Sequence, residues 1–133
     1  MEQTIEKIQD TLGPLFVGDP RVGIAYLYGS RARGDADGRS DYDFAVYLDE
    51  ADPMKRANVR ADLISEISKR LGTDAIDVVI LNDIDAPELK YAILHEGEIV
   101  FEREPYRILL EPKILNEYFD FVYLLRKYNL TGA

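Results

Sequence analysis

The chain has 133 residues, 47% of them hydrophobic and 31% charged, the size and balance of one ordinary globular domain built around one core. Sixteen basic against 25 acidic residues leave a formal net charge of −9, which disfavours holding DNA or RNA through its phosphates and suits a basic protein partner better. No cysteine is present, which excludes disulfides and thiolate metal sites; with no signal-peptide pattern at the start and no apolar run near the ~20 residues needed to cross a bilayer, a cytoplasmic protein with no membrane segment is expected.

Ile5, Ile8 and Leu12 recur at helical spacing, so residues 2–13 are expected to form an amphipathic helix that ends or kinks at Gly13-Pro14. After the turn Gly18-Asp19-Pro20, the apolar run over residues 22–28 predicts a first strand. A polar turn from Gly29 to Ser40 follows, and a second strand runs from Asp41 to about Leu48. Asp52 and Pro53 supply an N-cap and a first helical residue. Val59, Leu63, Ile67 and Leu71 supply one buried stripe, and Gly72 a stop. A helix of this length between two strands returns the chain to a parallel neighbour. The returning strand, residues 75–81, is nearly all β-formers and is expected to be central and buried.

Pro87 to about His95 predicts a short helix with Leu89, Ile93 and Leu94 inward. His95, the single histidine, suits the carbonyl end of that helix better than a catalytic role. Residues 98–102 alternate as an edge strand would, residues 106–110 are ambiguous, and Pro112 suits the first turn of a last helix reaching about Tyr128. That last segment carries more apolar and aromatic residues than one stripe uses. It either faces a partner or fills a deeper groove of the monomer. Together these elements predict an α/β domain with a mixed sheet flanked by helices.

The chemistry is concentrated between the first two strands. Gly29 and Ser30 combine a backbone free to take unusual angles with a small hydroxyl, which lets an anion approach closely. Arg31 and Arg33 add planar, permanently charged donors suited to a phosphate chain. After ten intervening residues come Asp41 and Asp43, two apart on a strand and therefore on one face, about 7 Å between α-carbons. Paired carboxylates need a cation or a shared proton, and oxygen ligands beside a phosphate cradle point to Mg²⁺. Asp77, a charge inside an apolar strand, is either a third member of this set or a carboxylate that reaches solvent at the strand end. Asp74, three residues away, faces the other side. Neither a P-loop nor a dinucleotide-binding glycine pattern occurs.

Gly29-Ser30, ten residues, then Asp41-Tyr42-Asp43 resembles the signature of the DNA polymerase beta-like nucleotidyltransferases, and the form Gly-Ser-Arg-Ala-Arg-Gly is similar to the minimal nucleotidyltransferases, including MntA-type antitoxins paired with HEPN-domain toxins. The resemblance implies the polymerase beta palm fold and a catalytic and metal set of Asp41, Asp43 and Asp77 around two Mg²⁺. It also implies that Gly29, Ser30, Arg31 and Arg33 hold the phosphates of ATP. It further implies transfer of AMP to a tyrosine of a HEPN ribonuclease toxin, which silences the toxin. Two other readings stand beside it: a non-catalytic antitoxin that blocks its toxin sterically, and nucleotidyl transfer to a small molecule such as an aminoglycoside. Tyr42 and Phe44 are bulkier than the aliphatic residues expected there.

Overall fold

A computed structural model describes residues 4–34 and 41–128. Helix α1 (Ile5–Val17) is capped by the Thr4 hydroxyl and leads into β1 (Val22–Tyr28), which ends in a four-residue helix, α2 (Ser30–Arg33). Strand β2 (Tyr42–Leu48) is followed by α3 (Pro53–Leu71) and β3 (Ile76–Ile80). A 3₁₀ turn over Leu81–Asp83, α4 (Pro87–Glu96), β4 (Glu98–Glu102) and the long α5 (Tyr106–Lys127) complete the described residues.

The four strands form one mixed sheet in the order β3-β2-β1-β4. β1 runs antiparallel to β2 and β4, whereas β2 and β3 are parallel, as the helical crossover requires. The capping signals read from Asp52, Pro53 and Gly72 all operate: the Asp52 carboxylate accepts from the Met54 amide, and Gly72 closes α3 in the left-handed region at φ 70.

Strand alternation divides the apolar side chains between two layers rather than a single core. One face packs Ala25, Leu27, Phe44, Val46, Val78 and Ile80 against Ile8, Leu12 and Phe16 of α1 and Val59, Leu63 and Ile67 of α3. The other gathers Ile24, Tyr26 and Ala45 with Leu81 and with Ile93 of α4. Tyr26 reaches from that smaller layer to donate a 2.7 Å hydrogen bond to Glu111, which ties α5 to the middle of the sheet. Burial, followed by that carboxylate, holds the Tyr26 hydroxyl protonated far above its ordinary range.

Further sequence expectations change. α1 continues through Pro14, because the buried stripe of Ile8, Leu12 and Phe16 runs past it and the proline lies exposed on the other side. α5 likewise starts at Tyr106 and carries Pro112 inside it, on an exposed face. β3 is an edge strand, not a central one: only Val78 and Ile80 are buried, under α3, while Ile76, Asp77 and Val79 keep partial exposure. Leu89 faces solvent, since the one-sided contact of α4 is made through Ile93 and Leu94. β4 lies at the opposite edge, as expected.

Among the described residues no helix is long and apolar enough to cross a membrane. Phe16 is fully buried between α1, the sheet and Phe101, whose ring centroid is 5.7 Å away. Phe16→Ala is expected to lower the free energy of unfolding by about 3–5 kcal/mol, read from the urea midpoint; a loss below about 1 kcal/mol would contradict this packing.

Candidate active site

The pairing of β2 with β3 assembles the site. In parallel register Asp43 stands opposite Asp77, and in the antiparallel pair on its other side Tyr28 stands opposite Asp43. The three residues form one row across the sheet, on the face that carries the smaller apolar layer, one step beyond the row of Tyr26, Ala45 and Val79. Asp41, exposed and two residues before Asp43, adds a charge at the same end.

The electrostatics show that the charges feel one another. The Asp43 carboxyl is held above its ordinary value first by partial burial and then by Asp77 and Asp41. The Tyr28 hydroxyl is pushed up to about 12, again by burial first and then by Asp43 and Asp77. Among the described residues no three acidic or imidazole side chains already form a closed metal cage. A cation at this row would therefore draw its other oxygen ligands from elsewhere, as Mg²⁺ does when it binds a nucleotide through one or two carboxylates plus phosphates.

The glycine-serine bend lies against this row. Gly29 has φ +76, and a Cβ placed on it would sit 2.7 Å from Oδ2 of Asp43, so only glycine allows the bend and the carboxylate to be this close. Ser30 opens α2 directly after it, making a helical turn of what the sequence suggested was continuous loop. Arg31 lies over the Tyr42 ring at 4.3 Å, and Arg33 pairs with Glu96 at the end of α4 at 3.4 Å. Residues 35–40 of the expected polar turn lie outside the described residues.

Tyr42 and Phe44, the bulky departures, are both buried on the opposite face among α1 and α3. Their size therefore fills the larger layer and leaves the carboxylate row untouched. Asp77 is half-exposed at the strand edge, as a carboxylate reaching solvent would be, and it stands in register with Asp43. His95 stays with the helix end, stacked on Tyr91 at 5.5 Å.

Two neighbours of the site were not legible as such. Tyr28 looked like the last residue of an apolar run, and only register reveals that it shares a row with the carboxylates. Arg60 of α3 reaches Asp77 at 3.4 Å; adjacent to buried Val59 in the helix, it carries no periodic signal.

Residues 6–106 match the family described as "Polymerase beta, Nucleotidyltransferase". The chain belongs to this family. It is a nucleotidyltransferase. A curated relative, the protein adenylyltransferase MntA of Aphanizomenon flos-aquae (strain 2012/KM1/D3), is 30% identical over 107 residues, covering 74% of this chain and 69% of the relative. The fold is shared with a chain of a toxin–antitoxin crystal structure with AMP-PNP, at TM-score 0.71, 20% identity and coverage of 90% and 94% of the two chains. It is also shared with a chain of the complex between a tri-AMPylated Shewanella oneidensis HEPN toxin and an MNT antitoxin, at TM-score 0.67, 18% identity and coverage of 94% and 95%.

Because the folded state raises the proton affinity of Asp43, this group stabilises the metal-free fold at pH below its ordinary value of 3.8 and loses that contribution as pH rises through the higher folded value. Asp43→Asn is therefore expected to raise the melting temperature in EDTA at pH 7 and to give no such gain near pH 3. Equal melting temperatures at pH 7 would show that the acidic row carries no repulsion. Gly29→Ala is expected to destabilise the fold and to displace Asp43, both from its positive φ and from the Cβ contact, as seen in thermal melts and in the Asp43 resonances of an NMR spectrum.

Proposed function

We propose that this nucleotidyltransferase is an antitoxin that transfers AMP from ATP to a tyrosine hydroxyl of a HEPN ribonuclease toxin, and so silences it. The observation that carries the reading is the in-register pair of Asp43 and Asp77 beside the Gly29 bend. A protein that acted by steric blocking alone would have no use for like charges held together at this cost. The curated relative is named a protein adenylyltransferase, and a chain of the same fold comes from a complex with a tri-AMPylated HEPN toxin.

Asp41, Asp43 and Asp77 would hold two Mg²⁺, and their mutual repulsion fits such a role, since a cation relieves it. When bound, the metal ions supply charge neutralisation and alignment for in-line displacement at the α-phosphate. Gly29 and Ser30 would cradle the triphosphate, with Arg31 and Arg33 offsetting the charge that develops on departing pyrophosphate. Asp77, at the open edge, would take the proton from the incoming tyrosine hydroxyl. The bond formed joins the tyrosine oxygen to the α-phosphorus, and the bond broken releases pyrophosphate.

We assign residues 1–133 to one such domain, with the last helix as the surface that meets the toxin. Of α5 only Ile114 is buried, while Ile108, Leu109, Phe119, Tyr123 and Leu124 are left exposed, an apolar display that favours a partner over a groove of the monomer.

Incubation of the chain with α-labelled ATP, Mg²⁺ and a HEPN toxin tests the reading. Label is expected on a toxin tyrosine, and Asp43→Asn is expected to reduce it by about 100-fold or more, the scale seen when one preorganised transition-state contact is removed. Inhibition of the toxin without label would instead establish the steric antitoxin, and label on an added aminoglycoside would establish small-molecule transfer. Undiminished labelling by Asp43→Asn would overturn the assignment of the site.

A further inference from the structure

Among the described residues β3 has one strand neighbour, so every second backbone carbonyl along it points away from the sheet and must find a partner elsewhere. The Ala75 carbonyl accepts from Tyr42 of β2, and by alternation the carbonyl of Val78 falls on the open side. Arg60 of α3 meets it there: Nε donates to the Val78 carbonyl oxygen at 2.6 Å, while Nη2 lies 3.4 Å from Oδ1 of Asp77. One planar group thus bridges a backbone atom that cannot move and a carboxylate that can.

The two contacts differ in kind. The short bond to the strand carbonyl sets where the guanidinium sits. The longer one is an ion pair between side chains that are 46% and 47% exposed, and such a pair contributes little stability by itself. Its consequence is orientation, because it engages Oδ1 of an Asp77 whose backbone stands in register with Asp43.

We infer that Arg60 is a positioning residue that anchors on the Val78 carbonyl and orients Asp77 toward Asp43 at the open edge of the sheet. This rests on the nucleotidyl-transfer reading of the acidic row. Outer partners that orient a metal-ligating carboxylate change metal affinity or activity by about 10–100-fold when removed. The planar fork suits this task, since it holds two donors in fixed geometry where a lysine offers a compact charge on a flexible stem.

Binding of Mn²⁺ in the presence of AMP-PNP, followed by the paramagnetic resonance of the free ion, gives affinity and the number of sites separately. Arg60→Met is expected to weaken Mn²⁺ binding about 10-fold with site number and melting temperature close to the parent. Arg60→Lys is expected to recover only part of that loss. A merely structural role would instead lower the melting temperature and the number of competent sites while leaving the affinity of the remaining sites unchanged, and would overturn the inference. Parental affinity in Arg60→Met would overturn it too, as would full recovery in Arg60→Lys, which would reduce the role to charge. These failures leave the nucleotide site standing, whereas a parent chain that binds no Mn²⁺ with AMP-PNP would overturn both.

Discussion

The parallel pairing of β2 with β3 is the constraint on which the rest of the molecule depends. Sliding β3 by one residue would move Asp77 to the face that holds Phe44 and Val46, where a carboxylate has no partner and its burial would cost several kcal/mol. The register that buries Val78 and Ile80 under α3 is therefore the same register that sets Asp77 opposite Asp43. Core packing and site assembly are a single choice.

That coupling explains why the repulsion within the row is tolerated. The larger layer, running from Ile8 and Phe16 through Phe44 and Val46 to Ile67, is stabilised by far more buried apolar area than two partly solvated carboxylates can offset. The bulky Tyr42 and Phe44 add to that layer from the very strand that carries Asp43 between them. Strain at the site is thus balanced by the residues flanking it, on the other side of the same two peptide units.

Sequence was most informative where a signal is local and steric. The Asp52–Pro53 start and Gly72 stop of α3 depend on one or two dihedral angles each, and both appear in the structure. So do the glycine-serine bend and the placement of Asp43 at the start of β2. The two internal prolines misled because a proline removes one hydrogen bond, and whether that ends a helix depends on what the following turns bury, which is tertiary. For α1 the following turn buries Phe16. The rank of β3 in the sheet was hidden for a related reason: a run such as Ile-Asp-Val-Val-Ile looks the same whether its second edge meets a fifth strand or water. Arg60 could not be found at all from periodicity, since its role arises from an edge carbonyl 18 residues away.

The open edge itself has a functional logic. A fifth strand outside β3 would satisfy the Val78 carbonyl through the backbone and wall off Asp77. With the edge free, an arginine from α3 supplies the missing donor, and one side of Asp77 stays reachable from solvent. An acceptor hydroxyl carried on another macromolecule needs that approach, because it arrives attached to a bulky surface and cannot enter a closed pocket. A small soluble acceptor would have no such requirement. On the proposed reading, the exposure of Asp77 and the apolar α5 surface suit an acceptor carried on a protein.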